Sequence, residues 1–510
     1  MTFKLKNFLS KSAYVIYIVL FGYIFYITAF RNSAFEYNNA ILFSNIFKMS
    51  VFLAVFLLIY SKCNKILYKC RYLLLGIAVL LIFYLQLSIS SQMIPRVVDD
   101  LANVQRGAIL YVTGENPEEL AYYAKYYHKY PNQVGIFLIQ QLLFKIAASF
   151  GYTDFFTVAC IFGHILFAVM IIASFIYLDE NISGHRAIFF LVMLCLFPPV
   201  YFQSSISYTD TYSIWAIPCL LLFISRGMKA DKIWKKLIYA FLSGIIAGVA
   251  IQIKTTAVFV VIAFFIHMVV NAPKIKNISF FAVLICCLLM ANTAFSKWGY
   301  STVMEPDRSN EALPVTHWIM MGLQDDGAYS YNDEFKISLS VPPQERKALI
   351  SQVIKERVSA MDSDDFLQLI YRKSCRTFGS AEGAISNMYR YDNEISEISG
   401  IYEYTLVGGK HFSKTNNISQ SVYLLTIAVG IIGAIIIVFR KEFMLSAFVP
   451  HISLIGFWMF MMIWESNHRQ LVNQWSLFFI VAAIGLYSLW SVISELFQKK
   501  AKETELSTVK

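Results

Sequence analysis

Met93-Ile-Pro-Arg-Val-Val-Asp-Asp-Leu-Ala-Asn-Val-Gln-Arg-Gly-Ala108 follows closely on an apolar run, Tyr72 to Ser88, and carries adjacent carboxylates, Asp99 and Asp100. Ionisable side chains at the end of a membrane-length apolar run are costly inside lipid and are kept where they line a surface or a cavity. The reading of the chain therefore turns on which face these acids meet and what surrounds them.

Around this stretch the composition is that of a membrane protein. The 510 residues are 57% hydrophobic and 15% charged, with a mean hydropathy of +0.56, against about 25% charged residues in soluble domains. Apolar runs long enough to cross a bilayer recur from end to end. The net charge of +10 is not a nucleic-acid signature, because the Lys and Arg residues sit in short loops between apolar runs, where they orient the spans. Of 8 cysteines, only Cys375 falls in an expected outer loop, so no external disulfide is expected. The basic start, Met1 to Lys11, leads into an apolar run ending near Phe30. That run lacks the short core and small-residue cleavage site of a signal peptide and reads as a retained span.

Charge bias sets the topology. Lys4, Lys6 and Lys11 hold the N-terminus inside, and Lys62, Lys65, Lys69 and Arg71 mark the next inner loop. Tyr72 to Ser88 then crosses outward, which puts Asp99, Asp100 and the loop to Asn132 outside. Gln133 to Phe150 is long enough to span but contains Gln133, Gln140, Gln141 and Lys145. Counting it as a span reverses the sign of every later loop, including the cations Arg226, Lys229, Lys232, Lys235 and Lys236. It therefore reads as a juxtamembrane or re-entrant helix, tolerable when packed in protein or lining a cavity. Pro198-Pro199 precedes a tight turn, Lys254-Thr-Thr256 tips a hairpin, and Lys274 and Lys276 are inside. A polar stretch, 297–420, carries expected helices near Glu345 to Met361 and Asp364 to Phe378, the second capped by Ser363. A span from Phe443 and a last one ending near Lys499, Lys500 and Lys502 leave both termini cytoplasmic.

Polar clusters gather at the outer span ends: Asp99-Asp100, Ser207-Tyr-Thr-Asp-Thr211, Lys254-Thr-Thr256 and Trp464-Glu-Ser-Asn-His-Arg469. Each alone reads as interfacial solvation. Together, acids and bases on one face suit a substrate with a phosphate and a hydroxyl nucleophile, because an acid orients and deprotonates a hydroxyl and Lys or Arg neutralises a phosphate. The tyrosines Tyr122, Tyr123, Tyr126, Tyr127 and Tyr130 read as an interfacial belt. His164, His267 and His451 lie in apolar runs away from other charges and read as packed or interfacial.

The pattern resembles the GT-C superfamily of membrane glycosyltransferases, closest to multispanning members of Gram-positive bacteria. The matching elements are Pro95-x4-Asp100-x3-Val104 with Gly107-Ala108, Tyr130-Pro-Asn-Gln-Val-Gly135, Tyr208-Thr-Asp-Thr211, Lys254-Thr-Thr256, His317-Trp-Ile-Met-Met-Gly-Leu323 and Glu465-x3-Arg469. The resemblance implies an all-α polytopic bundle of about 12 transmembrane helices plus a juxtamembrane helix over 133–150 and a mixed extracellular loop domain. The implied organisation is a transmembrane glycosyltransferase module over 1–296 with its catalytic loop at 91–132, the loop domain at 297–420, and C-terminal transmembrane helices at 421–510. Implied too is an inverting transfer from a polyprenyl-phosphate sugar (undecaprenyl phosphate being the expected carrier) to a cell-surface glycan or lipid-linked acceptor, at the outer face of the plasma membrane. In such enzymes the acid of the first outer loop is the base, which points to Asp100, with Asp99 as its rival because many relatives carry a single acid there. Tyr208, Asp210, Lys254, His317, Glu465, His468 and Arg469 are the substrate-binding candidates, and Asp210 is a candidate ligand for a divalent cation such as Mg or Mn. The bilayer, the donor lipid and the acceptor glycan are the expected partners. A polysaccharide polymerase or ligase is the alternative, one that needs no early acid. A transporter should show repeats and broken spans near the midplane, and no repeat is visible.

Overall fold

The computed structural model describes residues 3–31, 39–92, 99–270, 275–303, 311–383, 398–441 and 445–508. Pro95, Lys274, Phe443 and the side chains of Lys4, Lys6, Asp99, Lys499, Lys500 and Lys502 lie outside what is described. No strand occurs among the described residues, and the protein is all-α. In lipid a helix satisfies its own backbone groups, so a chain this apolar has little alternative.

Nine helices among the described residues are long and apolar enough to cross a membrane, from Asn7–Phe30 to His468–Leu496. The twelve expected spans are not all of this kind. Gly184–Cys195 and Pro199–Ser205 form one run bent by 76°, at Pro198-Pro199, where proline removes a backbone donor and clashes with the preceding turn. Thr255–Val270 and Ala447–Ile463 are shorter apolar helices. The helices also overrun the expected edges of the loop domain: Ile275–Val303 passes residue 296, and Phe412–Arg440 begins before residue 420.

Between those edges the loop domain is helical rather than mixed among its described residues, with Pro343–Ala360 and Ser363–Phe378 as its longest elements. The cap differs from expectation by one residue. Asp362, not Ser363, accepts from the amides of Asp364 and Asp365, and Asp365 answers as a capping box, so a carboxylate rather than a hydroxyl faces the positive helix end.

Ion pairs join the basic loops at one end of the bundle: Arg71 Nε lies 2.8 Å from Asp179 Oδ1 and Arg226 Nη2 lies 2.5 Å from Glu180 Oε1. The helices Phe155–Asn181 and Ile233–Ile253 run from that end to Asp154 and Lys254 at the other. Asp100, Asp210, Lys254 and Glu465 therefore collect at the end opposite the basic loops. The intramembrane histidines are packed: His164 Nε2 meets Ser90 Oγ at 3.0 Å, and His451 lies between the Tyr14 and Tyr17 rings, at 4.9 and 4.6 Å.

Candidate active site

Asp100 stands in the first turn of the Asp99–Thr113 helix, where the positive helix end favours a carboxylate. The expected loop at 91–132 is thus largely two helices, Asp99–Thr113 and Pro117–Lys129. Tyr126 on the second donates its hydroxyl to Asp100 Oδ1 at 2.7 Å, and Tyr208, ahead of the Thr209–Tyr212 turn, donates to Oδ2 at 3.3 Å. Burial, reinforced by Asp100, raises both phenols well above their ordinary pKa, so both keep their protons and donate. Gln133 in turn donates to the Tyr208 oxygen at 2.6 Å.

The helix that complicated the topology supports this arrangement. Val134–Ser149 has 16 residues, about 24 Å of helix at 1.5 Å per residue. Its buried Gln140 donates to the Ser207 carbonyl at 2.7 Å. Gly135 lets it approach the Ile233–Ile253 helix, since a Cβ there would fall 1.9 Å from the Gln252 carbonyl oxygen. Gln133 and Gln140, two of the glutamines that argue against a lipid-facing span, are buried and spend an amide donor inside the protein, though their Oε1 atoms accept no hydrogen bond among the described residues.

Beside Tyr208 lies a charge cluster. Lys254 pairs with Asp210 Oδ1, their side chains 8% and 1% exposed. Arg469 Nε is 3.7 Å from Asp210 Oδ2, and the guanidinium carbon stands 4.9 Å from the Tyr208 ring centre. Burial first, then Arg469, pushes the Lys254 ammonium down, and Glu465 opposes them; a carboxylate in contact, as Asp210 is, favours the charged form of a lysine. Glu465 is pushed up to about 6 by burial, with Arg469 pulling it back, Asp100 adding to the rise and Lys254 pulling back again. Asn473 ties the hairpin tip to the Arg469 segment by donating to Thr256 Oγ1 at 2.7 Å. The solvation reading of Lys254 and Asp210 is overturned: they are buried against each other.

Asp210 does not fit a divalent-cation ligand. Its oxygens already face Lys254 and Arg469, and a dication would be repelled by both. Among the described residues no group of three or more His, Cys, Asp or Glu is arranged to hold a metal ion.

The profile of a family described as conserved hypothetical integral membrane protein matches residues 5–488. The chain belongs to this family. It is a multi-pass integral membrane protein. No curated protein matches it. Solved structures similar to it include ArnT from Cupriavidus metallidurans bound to undecaprenyl phosphate, with 10% identity, a TM-score of 0.36, and coverage of 82% of this chain and 78% of that one. The same protein in the apo state gives 10% identity and a TM-score of 0.35, over 82% and 77% of the two chains.

Two candidates have their partners elsewhere. His317 is buried in the loop domain with Nδ1 2.8 Å from Ser338 Oγ, and burial lowers its pKa. His468 is buried and hydrogen-bonded to the Gly383 backbone, so it supports the Arg469 segment from behind. Sequence reasoning put Tyr126 in an interfacial belt and Gln133 in a matching stretch and gave neither a role at Asp100. It also missed Lys129 and Tyr130, which both bond to the buried carboxylate Glu334 of the loop domain. The interfacial-belt reading fails for Tyr126, Tyr127 and Tyr130 and fits Tyr122, which is exposed. Tyr127 donates to the Asn103 carbonyl at 3.1 Å. The available signal was spacing: Tyr126 and Tyr130 are four apart, on one helix face.

Proposed function

We propose that this protein is a membrane glycosyltransferase that uses a polyprenyl-phosphate sugar, undecaprenyl phosphate being the carrier expected, and acts on a glycan or lipid-linked acceptor at the outer face of the cell membrane. The observation that carries this reading is the Asp100 carboxylate, held by hydroxyls from two separate elements with Arg469 stacked over one of them. Such a carboxylate is oriented without being neutralised, and a guanidinium beside it suits a phosphate.

The acceptor hydroxyl hydrogen-bonds Asp100 and attacks the anomeric carbon. The C1–O bond to phosphate breaks, polyprenyl phosphate leaves with the bonding pair, and the hydroxyl proton passes to Asp100. One displacement inverts the anomeric centre. The work of Asp100 is positioning the nucleophile, with late proton transfer. Arg469 neutralises the phosphate. It is 22% exposed, and its Nε makes no hydrogen bond. Lys254 is held by Asp210 and contributes to the field from one layer further back.

Transfer measured with purified protein and polyprenyl-phosphate sugar tests the reading. Arg469→Lys should keep part of the activity, because charge remains while the bidentate fork is lost, and Arg469→Ala should lose far more. Equal, near-wild-type turnover in both would remove Arg469 from the site. Orientation has its own test. Single cysteines replacing Asn132 and Thr153 on a cysteine-free background should both react with an impermeant reagent from outside. Protection at Thr153 would put Val134–Ser149 across the membrane.

A further inference from the structure

Glu465 and Arg469 approach Asp100 on a segment that is gripped from outside the site. Lys373, on the Ser363–Phe378 helix, is 0% exposed. Its Nζ donates to the Gly322 carbonyl at 2.6 Å and to the Trp464 carbonyl at 2.7 Å. Gly322 directly follows the Thr316–Met321 helix, and Trp464 directly follows Leu445–Ile463. Helix C-termini present unpaired carbonyls and the negative end of the dipole, so one buried ammonium satisfies two helix ends. Burial pushes its pKa down to about 8, against the pull of Glu465 and Asp326.

Other contacts close the same joint. The Ser466 amide donates to the Gly327 carbonyl at 2.6 Å. Trp464 stacks on Trp318 with ring centres 5.9 Å apart and planes 3° apart. A Cβ on Gly322 would lie 2.7 Å from the Ile463 oxygen and 2.8 Å from the Trp464 oxygen, so the close approach requires glycine. The segment 316–327 and Lys373 thus hold Ile463, Trp464 and Ser466, on both sides of Glu465 and just ahead of Arg469.

We propose that Lys373 is a positioning residue for the transfer reaction: by clamping Trp464 against segment 316–327 it sets where Glu465 and Arg469 stand relative to Asp100. This rests on the glycosyltransferase reading and gives the loop domain a part in it. The domain fixes the last piece of the donor-phosphate site.

Lys373→Met keeps the aliphatic stem and removes the donors. Donor KM should rise about tenfold or more, as for loss of a hydrogen bond from a charged group. Amide exchange across 463–470 should quicken while the spans stay protected. A merely structural loss would lower the active fraction and the apparent kcat, with donor KM and local exchange unchanged, and would overturn the proposal. If Lys373→Met fails to insert, Gly322→Ala makes the same test, since its methyl displaces the Trp464 carbonyl from Lys373, and donor KM should again rise. An inactive wild type would overturn the glycosyltransferase reading and this role with it. An active wild type with unchanged KM and exchange in the variants would overturn the clamp alone.

Discussion

Asp100→Asn is expected to insert and to bind donor lipid normally, yet to transfer sugar about 10²–10⁴-fold more slowly, the usual contribution of a general base. The substitution keeps the size of the side chain. Its amide oxygen still accepts from one tyrosine, while the NH2 group meets the other as a donor. It loses the negative charge and the site that takes the acceptor proton. Asp99→Asn should be milder, because Asp100, which the Tyr126 and Tyr208 hydroxyls hold, remains in place. Initial rates with purified protein, beside a donor-lipid binding measurement, separate the chemical step from assembly. A reversed order of the two variants would move the role to Asp99 and leave the mechanism standing. Full activity in the double Asn variant would remove this helix as the source of the base and bring the polymerase reading forward.

What could be read in the sequence follows from the range of the physics involved. Apolar runs and their flanking cations are local, so the helices and the grouping of Asp100, Asp210, Lys254 and Arg469 at one end were legible from Lys and Arg bias alone. The same bias flagged Val134–Ser149, whose glutamines made it a poor lipid-facing span. Partners were a different matter. Asp210 and Lys254 are 44 residues apart, and nothing local to either says that the turn before one helix touches the hairpin tip between two others. Each alone looked like a solvated end. The aromatic cluster failed for a related reason. A tyrosine at a membrane interface and a tyrosine donating to a buried carboxylate have the same composition, and only the neighbour distinguishes them. His317 and His468 came in with the stretches 317–323 and 465–469 that carry the resemblance, but their hydrogen bonds are to Ser338 and to the Gly383 backbone, which no spacing rule anticipates.

Lys254→Met should be the most destabilising single change at the site. Breaking a buried ion pair by removing one partner leaves an uncompensated charge and costs about 3–5 kcal/mol. Here the lower part of that range applies, because Arg469 remains 3.7 Å from the other oxygen of Asp210. Methionine fills much the same volume, so the loss is one of charge rather than packing. Asp210→Asn in the same chain removes the orphaned carboxylate and should restore most of the melting temperature of the detergent-solubilised protein. The double variant then separates stability from chemistry. With Lys254 committed to Asp210 and Arg469 left to meet the donor phosphate, its transfer rate should return to within about tenfold of wild type, the scale of a long-range charge term rather than of a direct phosphate contact. A single variant as stable as wild type would mean that the pair is not the buried, charged contact described. A double variant that is stable but inactive would assign Lys254 to the substrate itself, with Asp210 as the group that holds it in place.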